Sequence, residues 1–381
     1  MQDKKLKIGI FVEDISYGGG LEIVSVRLCK AFLANGIDCS LISLKRLVNK
    51  FNTEQCVFQF EYTARQLKNK EIQKLVANSL KEKGYTNIIF QTSAPYSYFS
   101  NISFYKKVRD RGIKIFVVFH TSLKSVVIRH YHQGESLIEF LLKVGKTLLY
   151  NIPRSYLFFS KSKTVVNSFV TLSNGTSQEL LKYFHVKSSV IPNFFEKQDV
   201  AVDFTKKEKT FIYIGRMDKE QKNIFYLMNA WKNLKDRMNW KFVIVGSDSK
   251  DSKIVQKIQN NNIQIISYAD NKKVLEELKK SSVLLLASIY EGFPTVVLEA
   301  VSTGNAIITT KFDGFSDEII HNGENGFVIN NLLHSKKFSK AISSLICDED
   351  LLLKMQKKSL ELYGEYVKTD VISIWKKEFE K

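Results

Sequence analysis

Two carboxylates eight positions apart, Glu291 and Glu299, bracket the run Glu-Gly-Phe-Pro-Thr-Val-Val-Leu-Glu. Glu299 is a single acid among apolar neighbours, Val296 to Val301, so burial obliges it to find hydrogen-bond donors, such as the hydroxyl groups of a ligand. Upstream, Val283-Leu284-Leu285-Leu286-Ala287 is short enough for a buried parallel strand. Downstream, Pro294 suits the first turn of a helix and Gly304 its C-terminal cap. Strand, tight loop and helix are therefore expected in that order. The N–H groups of Thr295, Val296 and Val297 would be free at the helix start, and the helix dipole makes that an anion site. Arg216 and Lys222 follow another strand-like run, Thr210 to Ile214, where the chain leaves a sheet at its carboxyl edge. Two cations there suffice to neutralise a diphosphate.

Further residues admit two readings each. Gly18, Gly19 and Gly20 follow the strand-like run Lys7 to Val12, and three residues without side chains let backbone N–H groups approach a phosphate; a plain flexible turn uses the same letters. The dinucleotide fingerprint fails, because Ile23 stands where its third glycine is needed. His120 ends the apolar run Ile115 to Phe119, either as a structural residue or as an imidazole facing a ligand. Gly145-Lys146-Thr147 resembles the end of a phosphate loop, but Phe140 occupies the place of the first glycine. His130-Tyr131-His132 has only Glu135 nearby and no further ligand at metal spacing, so no metal is expected. Asp348-Glu349-Asp350 precedes Leu351-Leu352-Leu353 and reads as a helix N-cap with favourable first-turn acids.

Elements must hold these residues in place. Strand patterns occur at Lys7 to Val12, Cys39 to Leu44, Asn87 to Gln91, Ile113 to His120 and Thr164 to Leu172, with helical spacing from Leu21 to Leu33 completing a first βαβ unit. The second half repeats the style at Thr210 to Ile214, Lys241 to Val245, Ile263 to Tyr268, Val283 to Ala287 and Ala306 to Thr310. Two doubly wound α/β halves result, with ligands expected at the carboxyl ends of their strands. The polar segment Asn193 to Lys209 is the expected linker, so the domains are placed at 1–195 and 205–362. From about Ser339 onward the pattern is helical.

Taken in order, Ser288-Ile289-Tyr290-Glu291-Gly292-Phe293-Pro294, Glu299, Gly304, Gly314, Glu318-Ile319-Ile320 and Gly323-Glu324-Asn325-Gly326 resemble the signature of the retaining nucleotide-sugar glycosyltransferases of family 4. Upstream, Tyr213-Ile214-Gly215-Arg216-Met217, Lys222 and Phe242-Val243-Ile244-Val245-Gly246 are similar to the same family, and the first half matches through Gly18-Gly19-Gly20, His120, Ser173 and Ile191-Pro192-Asn193. The resemblance implies the GT-B fold: two Rossmann-like doubly wound parallel-sheet domains facing a central cleft, with a last helix in 363–381 crossing back to the N-terminal domain. It implies that Arg216 and Lys222 hold the donor diphosphate, that Glu299 holds the ribose hydroxyls, and that Glu291 and His120 serve catalysis on the donor-sugar side. Gly19, Gly20, Gly292, Phe293, Pro294 and Thr295 are implied as substrate-binding. The implied chemistry uses no metal or cofactor and no protein nucleophile, since the donor phosphate accepts the acceptor's proton on the same face. Asn223 departs from the pattern, coming after Lys222 where the family usually has glycine, and this bears on the local turn more than on the charge.

Composition bounds the partners. The 381 residues are 44% hydrophobic with 27 Phe and 16 Tyr, which suits a folded protein of two domains. No run reaches the roughly 18 uninterrupted apolar residues of a membrane span, and Met1-Gln2-Asp3-Lys4-Lys5 leads straight into a strand pattern, so a cytoplasmic protein is expected. Cys29, Cys39, Cys56 and Cys347 read as free thiols, mostly buried. The net charge of +18 is uneven, with 29 Lys and Arg against 15 acids in residues 1–200 and 28 against 24 thereafter. An anionic partner is therefore expected for the first half: a membrane surface, a phosphate-linked acceptor or nucleic acid, the last set aside for want of a binding motif. Leu137 to Phe159 mixes Leu, Phe and Tyr with Lys143, Lys146, Arg154 and, shortly after, Lys161 and Lys163. That suits a helix lying on an anionic bilayer, while core packing under a solvated basic face fits the same letters.

With the resemblance, the expected protein is a retaining hexosyl- or N-acetylhexosaminyltransferase that uses a nucleoside diphosphate sugar, UDP by family habit. Its acceptor is expected to be lipid-linked or polymeric, in the synthesis of a bacterial surface polysaccharide such as capsule or exopolysaccharide, at the inner face of the plasma membrane. Two rivals stay open: a non-catalytic GT-B subunit gripping glycan for a partner, and a nucleotide-sugar epimerase.

Overall fold

The computed structural model describes residues 6–15, 19–44, 57–63, 65–95, 101–128, 130, 136–197, 202–246, 258, 263–267, 271–314, 318–331 and 333–381. Gly18, Cys56, Tyr131, His132, Glu135, Tyr268 and positions 198–201 of the expected linker lie outside them. In chain order the first elements are β1 (Lys7–Val12), α1 (Gly20–Ala34), β2 (Asp38–Ser43), β3 (Val57–Gln59), α2 (Lys70–Glu82), β4 (Asn87–Thr92), α3 (Ile102–Arg109) and β5 (Lys114–Phe119). Next are α4 (Lys124–Val127), α5 (Leu137–Lys146), a π turn at Thr147–Asn151, α6 (Ile152–Ser162), β6 (Ser168–Thr171), α7 (Asn174–Phe184) and β7 (Ser189–Val190). Then come β8 (Thr210–Ile214), α8 (Ile224–Lys232), β9 (Lys241–Gly246), β10 (Gln264–Ser267), α9 (Asn271–Lys280), β11 (Val283–Leu286), α10 (Thr295–Ser302), β12 (Ala306–Thr310) and β13 (Gly326–Ile329). The chain closes with α11 (Lys336–Cys347), α12 (Glu349–Val367) and α13 (Val371–Glu380).

The chain divides into two compact units, one of Met1–Arg129, Val144–Glu196 and Asp370–Lys381, the other of His130–Lys143 and Lys197–Thr369. The first contains a seven-stranded sheet in the order β3-β2-β1-β4-β5-β6-β7, the second a six-stranded sheet in the order β10-β9-β8-β11-β12-β13. Every pair is parallel. Both are therefore Rossmann-like α/β sheets, whose winding reverses at β1/β4 and at β8/β11; ligands of such sheets sit beyond the carboxyl ends of the strands at that reversal. The central strands β4 and β11 carry apolar runs because helices cover both faces, Ile88 to Phe90 and Val283 to Leu286, all fully buried or within 1% of it.

The first core is aromatic. Phe11 lies 5.3 Å from Phe90 and Phe119 lies 6.1 Å from Phe169, both pairs stacked. Helix α13 belongs to this unit: Trp375 and Phe379 pack on Phe32 and Phe116, and Lys114 Nζ donates to Phe379 O at 2.8 Å. In the second unit Trp231, Tyr226 and Phe338 fill the space between α8, α11 and the sheet.

Two sequence expectations are corrected. The strand expected from Thr164 starts at Ser168, because the N–H groups of Val165 and Val166 still bond back to Ser162 O and finish α6. The segment Leu137 to Phe159 does not pack as one apolar face: Phe158 and Phe159 enter the core, whereas α5 has no buried residue. No helix among the described residues is long and apolar enough to cross a membrane.

Candidate active site

Beyond the end of β8 the chain turns at Gly215, whose φ of +149° is open to glycine and strained for other residues. Tyr213 reaches round this turn and donates to Arg216 O at 2.6 Å. Burial holds its phenol well above the ordinary range, helped by the charges of Asp218 and Glu291, so it stays a donor. Asp218 fixes the next turn of the loop: its Oδ1 accepts from the N–H groups of Gln221 and Lys222 at 2.8 and 3.0 Å, and its carbonyl accepts from Ile224 N at 3.1 Å. Asn223, fully buried, takes the left-handed conformation with φ +52° at the start of α8. Asparagine is among the few residues besides glycine that tolerate it, so the turn survives the departure from the family pattern.

The loop after β11 meets this one through Gln221. Its backbone carbonyl accepts from Ile289 N at 2.8 Å, its Nε2 lies 3.3 Å from both Tyr290 O and Glu291 Oε2, and its Oε1 accepts from Arg216 Nη2 at 2.7 Å. Glu291, only 6% exposed, is thereby placed beside Lys222, whose Nζ lies 2.5 Å from Oε1; Ser288 Oγ donates to the same oxygen at 2.6 Å. Arg216, Gln221, Glu291 and Lys222 thus form one contact chain at the reversal of the second sheet, with the guanidinium 68% exposed and the ammonium 15% exposed. An ammonium has three donor hydrogens, so the bond to Glu291 leaves Lys222 capacity for an anion. Glu291 N donates to Asp313 O at 3.0 Å, and the Asp313 carboxylate, 2.7 Å from His130 Nε2, ties His130 to this loop. Sequence reasoning singles out Arg216, Lys222 and Glu291; Gln221, Ser288, Asp313 and His130 it does not assign to the site.

Helix α10 starts at Thr295 with Pro294 as its N-cap, one position earlier than the expected first turn. The N–H of Val297 is not free, since it bonds to Pro294 O at 3.0 Å in a tight first turn; this corrects the set of open amides. Gly292 is buried, and the ring of Phe293 stacks on Tyr366 at 5.9 Å. Glu299 lies one turn into α10 and is 5% exposed. The helix ends in a Schellman pair, Asn305 N to Ala300 O at 3.0 Å and Gly304 N to Val301 O at 3.1 Å, with Gly304 at φ +68°.

At the reversal of the first sheet the chemistry differs. Gly19 caps α1 and Gly20 opens it. The Glu22 carboxylate accepts from the Gly19 N–H and from its own; burial raises its pKa and the two backbone bonds oppose the rise. An arriving phosphate would therefore meet a carboxylate already there. His120 continues from β5, its N–H bonded to Thr92 O at 3.0 Å and its Nε2 bonded to Gln91 Oε1. Burial pushes its pKa down to about 3, so at pH 7 the ring is neutral. An amide oxygen only accepts, hence Nε2 carries the proton and Nδ1 is left as an acceptor. Ser173, part of the resemblance, caps α7 by accepting from Thr176 N at 3.2 Å.

Residues 194–361 match the profile of the family described as Glycosyl transferases group 1. Over nearly the whole chain, a protein of Haemophilus influenzae described as an uncharacterized glycosyltransferase is 23% identical, covering 97% of this chain and 99% of its own. The N-acetylgalactosamine-N,N'-diacetylbacillosaminyl-diphospho-undecaprenol 4-alpha-N-acetylgalactosaminyltransferase of Campylobacter jejuni is 22% identical, covering 85% and 86%. A variant of S. aureus TarM, solved with Fondaparinux, alpha-GlcNAc-glycerol and UDP, superposes with a TM-score of 0.73 at 14% identity, covering 99% of this chain and all of that one. The fold is accordingly GT-B, and the matched unit together with these relatives supports a group 1 glycosyltransferase.

Proposed function

We propose that this chain is a retaining, metal-independent hexosyl- or N-acetylhexosaminyltransferase. In this reading it takes the sugar from a nucleoside diphosphate donor, UDP preferred, and passes it to a lipid-linked or polymeric acceptor of a bacterial surface polysaccharide at the inner face of the plasma membrane. The observation that carries the reading is the contact chain Arg216, Gln221, Glu291, Lys222 at the reversal of the second sheet. A diphosphate there meets the exposed guanidinium and the remaining donors of Lys222, close to the start of α10. These groups offset the charge that grows as the leaving group departs. Glu291, held by Lys222, Ser288 and Gln221, acts as a fixed acceptor that orients sugar hydroxyls. Glu299 takes the ribose hydroxyls, and neutral His120 offers Nδ1 as an acceptor on the sugar side.

The step itself breaks the bond between the anomeric carbon and the donor's phosphate oxygen and forms the bond to the acceptor oxygen on the same face. The acceptor's proton passes to the departing phosphate. The lipid-linked acceptor is supported by the diphospho-undecaprenol substrate named for the Campylobacter relative, and UDP by its presence with TarM.

The test is transfer from UDP-sugars by the purified chain, with UDP release and the anomeric configuration of the product followed by NMR. Glu299→Ala is expected to raise the donor KM roughly 10- to 150-fold, the equivalent of about 1.5–3 kcal/mol for a charge-assisted hydrogen bond lost in a desolvated site, and Arg216→Ala, at a largely exposed guanidinium, to raise it by less. Unchanged donor use in both variants overturns the assignment. A product of inverted configuration overturns the retaining step alone.

A further inference from the structure

Among the described residues, nine of the sixteen exposed large hydrophobic side chains fall between Leu137 and Leu157. Scattered apolar side chains need no explanation, but a concentration in one helical stretch does. On α5, Leu137, Ile138, Leu141 and Leu142 occupy positions i, i+1, i+4 and i+5, one face of a helix, and are 57–72% exposed. Two polar side chains of the same helix are tied to protein: Lys143 bonds to Glu220 at 2.8 Å and Glu139 lies 3.9 Å from Lys219. A surface helix ordinarily turns its apolar stripe inward, and α5 does the reverse. The π turn then presents Leu149, 85% exposed, and α6 exposes Leu157 while its Phe158 and Phe159 face the core.

The stretch that carries these leucines is basic. Between Leu137 and Lys163 there are five cations, Lys143, Lys146, Arg154, Lys161 and Lys163, against the single acid Glu139. Lysine stems lie along apolar surface and lift their ammonium groups to headgroup level, and the basic excess of residues 1–200 acts in the same direction. A second copy of this chain is the wrong occupant, since a two-fold contact would set the same cations against each other. The core of a protein interface is depleted of lysine, which argues against a protein partner as well.

We propose that the outward face of α5 and the π turn, in a stretch that also carries Lys146, Arg154, Lys161 and Lys163, docks on an anionic lipid bilayer. That a lipid-linked acceptor is reached from this surface rests on the transferase reading; the docking is measured without donor or acceptor. The experiment is flotation of the full chain with vesicles of phosphatidylethanolamine and phosphatidylglycerol, and with vesicles of phosphatidylcholine alone. Wild type is expected to float with the anionic vesicles at least roughly tenfold more than with the neutral ones, and to be released by salt. Leu141→Glu with Leu149→Glu should stay in the soluble fraction, and Lys146→Glu with Lys161→Glu should lose about the tenfold advantage conferred by charge.

Circular dichroism melts check that these exposed substitutions leave the fold intact, and UDP-sugar hydrolysis without lipid should match wild type in the leucine variant. Flotation of the leucine variant at the wild-type level, or no flotation of wild type, overturns the proposal. So does a lipid-free dimer that the leucine variant abolishes in sedimentation velocity, because the face then belongs to a second copy. Flotation retained in a protein that never uses a nucleotide sugar leaves the docking standing and removes the transferase reading.

Discussion

At the reversal of the first sheet, between β1 and β4, the start of α1 already holds the Glu22 carboxylate, and the neighbouring strand ends carry a neutral amide and a neutral imidazole, Gln91 and His120. At the corresponding reversal of the second sheet, between β8 and β11, the loops carry Arg216 and Lys222, with Glu291 fixed beside them. The strand order around the two reversals is the same. A shared backbone thus says where a ligand sits but not which one, because the loop side chains set the charge. The second edge suits an anion such as a pyrophosphate; the first suits uncharged hydroxyl groups.

The contrast breaks most severely at Lys222. Lys222→Met leaves a buried carboxylate without its cation, and the expected cost is about 3–5 kcal/mol, read as a lower urea midpoint together with loss of donor use. Combining it with Glu291→Gln should restore most of the stability and none of the activity. A single variant as stable as wild type would mean that the pair does not hold the two loops together.

A smaller effect tests the neutrality of the first edge. The His120 pKa is about 3 in the folded chain and near 6.5 when unfolded, so between those values the unfolded chain binds a proton that the native ring refuses. Its stability contribution is complete above pH 6.5 and is lost as pH falls toward 3; at pH 5 the deficit is about 2 kcal/mol. Urea titrations at pH 7 and pH 5 should show His120→Gln losing less over that interval than wild type. Equal losses would mean that the folded imidazole takes up its proton as readily as the unfolded one. The smallest effect is expected at the end of α10, where Gly304→Ala places a Cβ 2.9 Å from Phe204 Cε1 at a positive φ. A loss of about 1–2 kcal/mol should appear as a lower melting temperature, and no change would show that the turn relaxes freely.

The runs Thr210–Ile214 and Ala306–Thr310 were legible as strands to the residue, because buried parallel strands favour continuous stretches of β-branched, aromatic and apolar side chains. β3, β7 and β13 were not: each lies at the edge of its sheet, only two to four residues long and half-buried, with no run to read. In the candidate site the charged residues carried recognisable spacing. Gln221 did not, since an amide joins the loops through partners 69 and 70 positions away, and the His130 bond to Asp313 spans 183. The left-handed Asn223 was legible only as a departure, and its backbone supplies the reason that it works.

Trp375 and Phe379 complete a core that the first strands begin, and this orders events on the ribosome. Residues up to Glu196 emerge with a hole where those two rings belong, and the 173 residues from Lys197 to Thr369 must be translated before it can be filled. At about 5–20 residues per second that is a delay of roughly 10–35 seconds, during which Phe32 and Phe116 lack their cover. The unit that is made first is the one that matures last, and its nascent form is where a chaperone has most to shield.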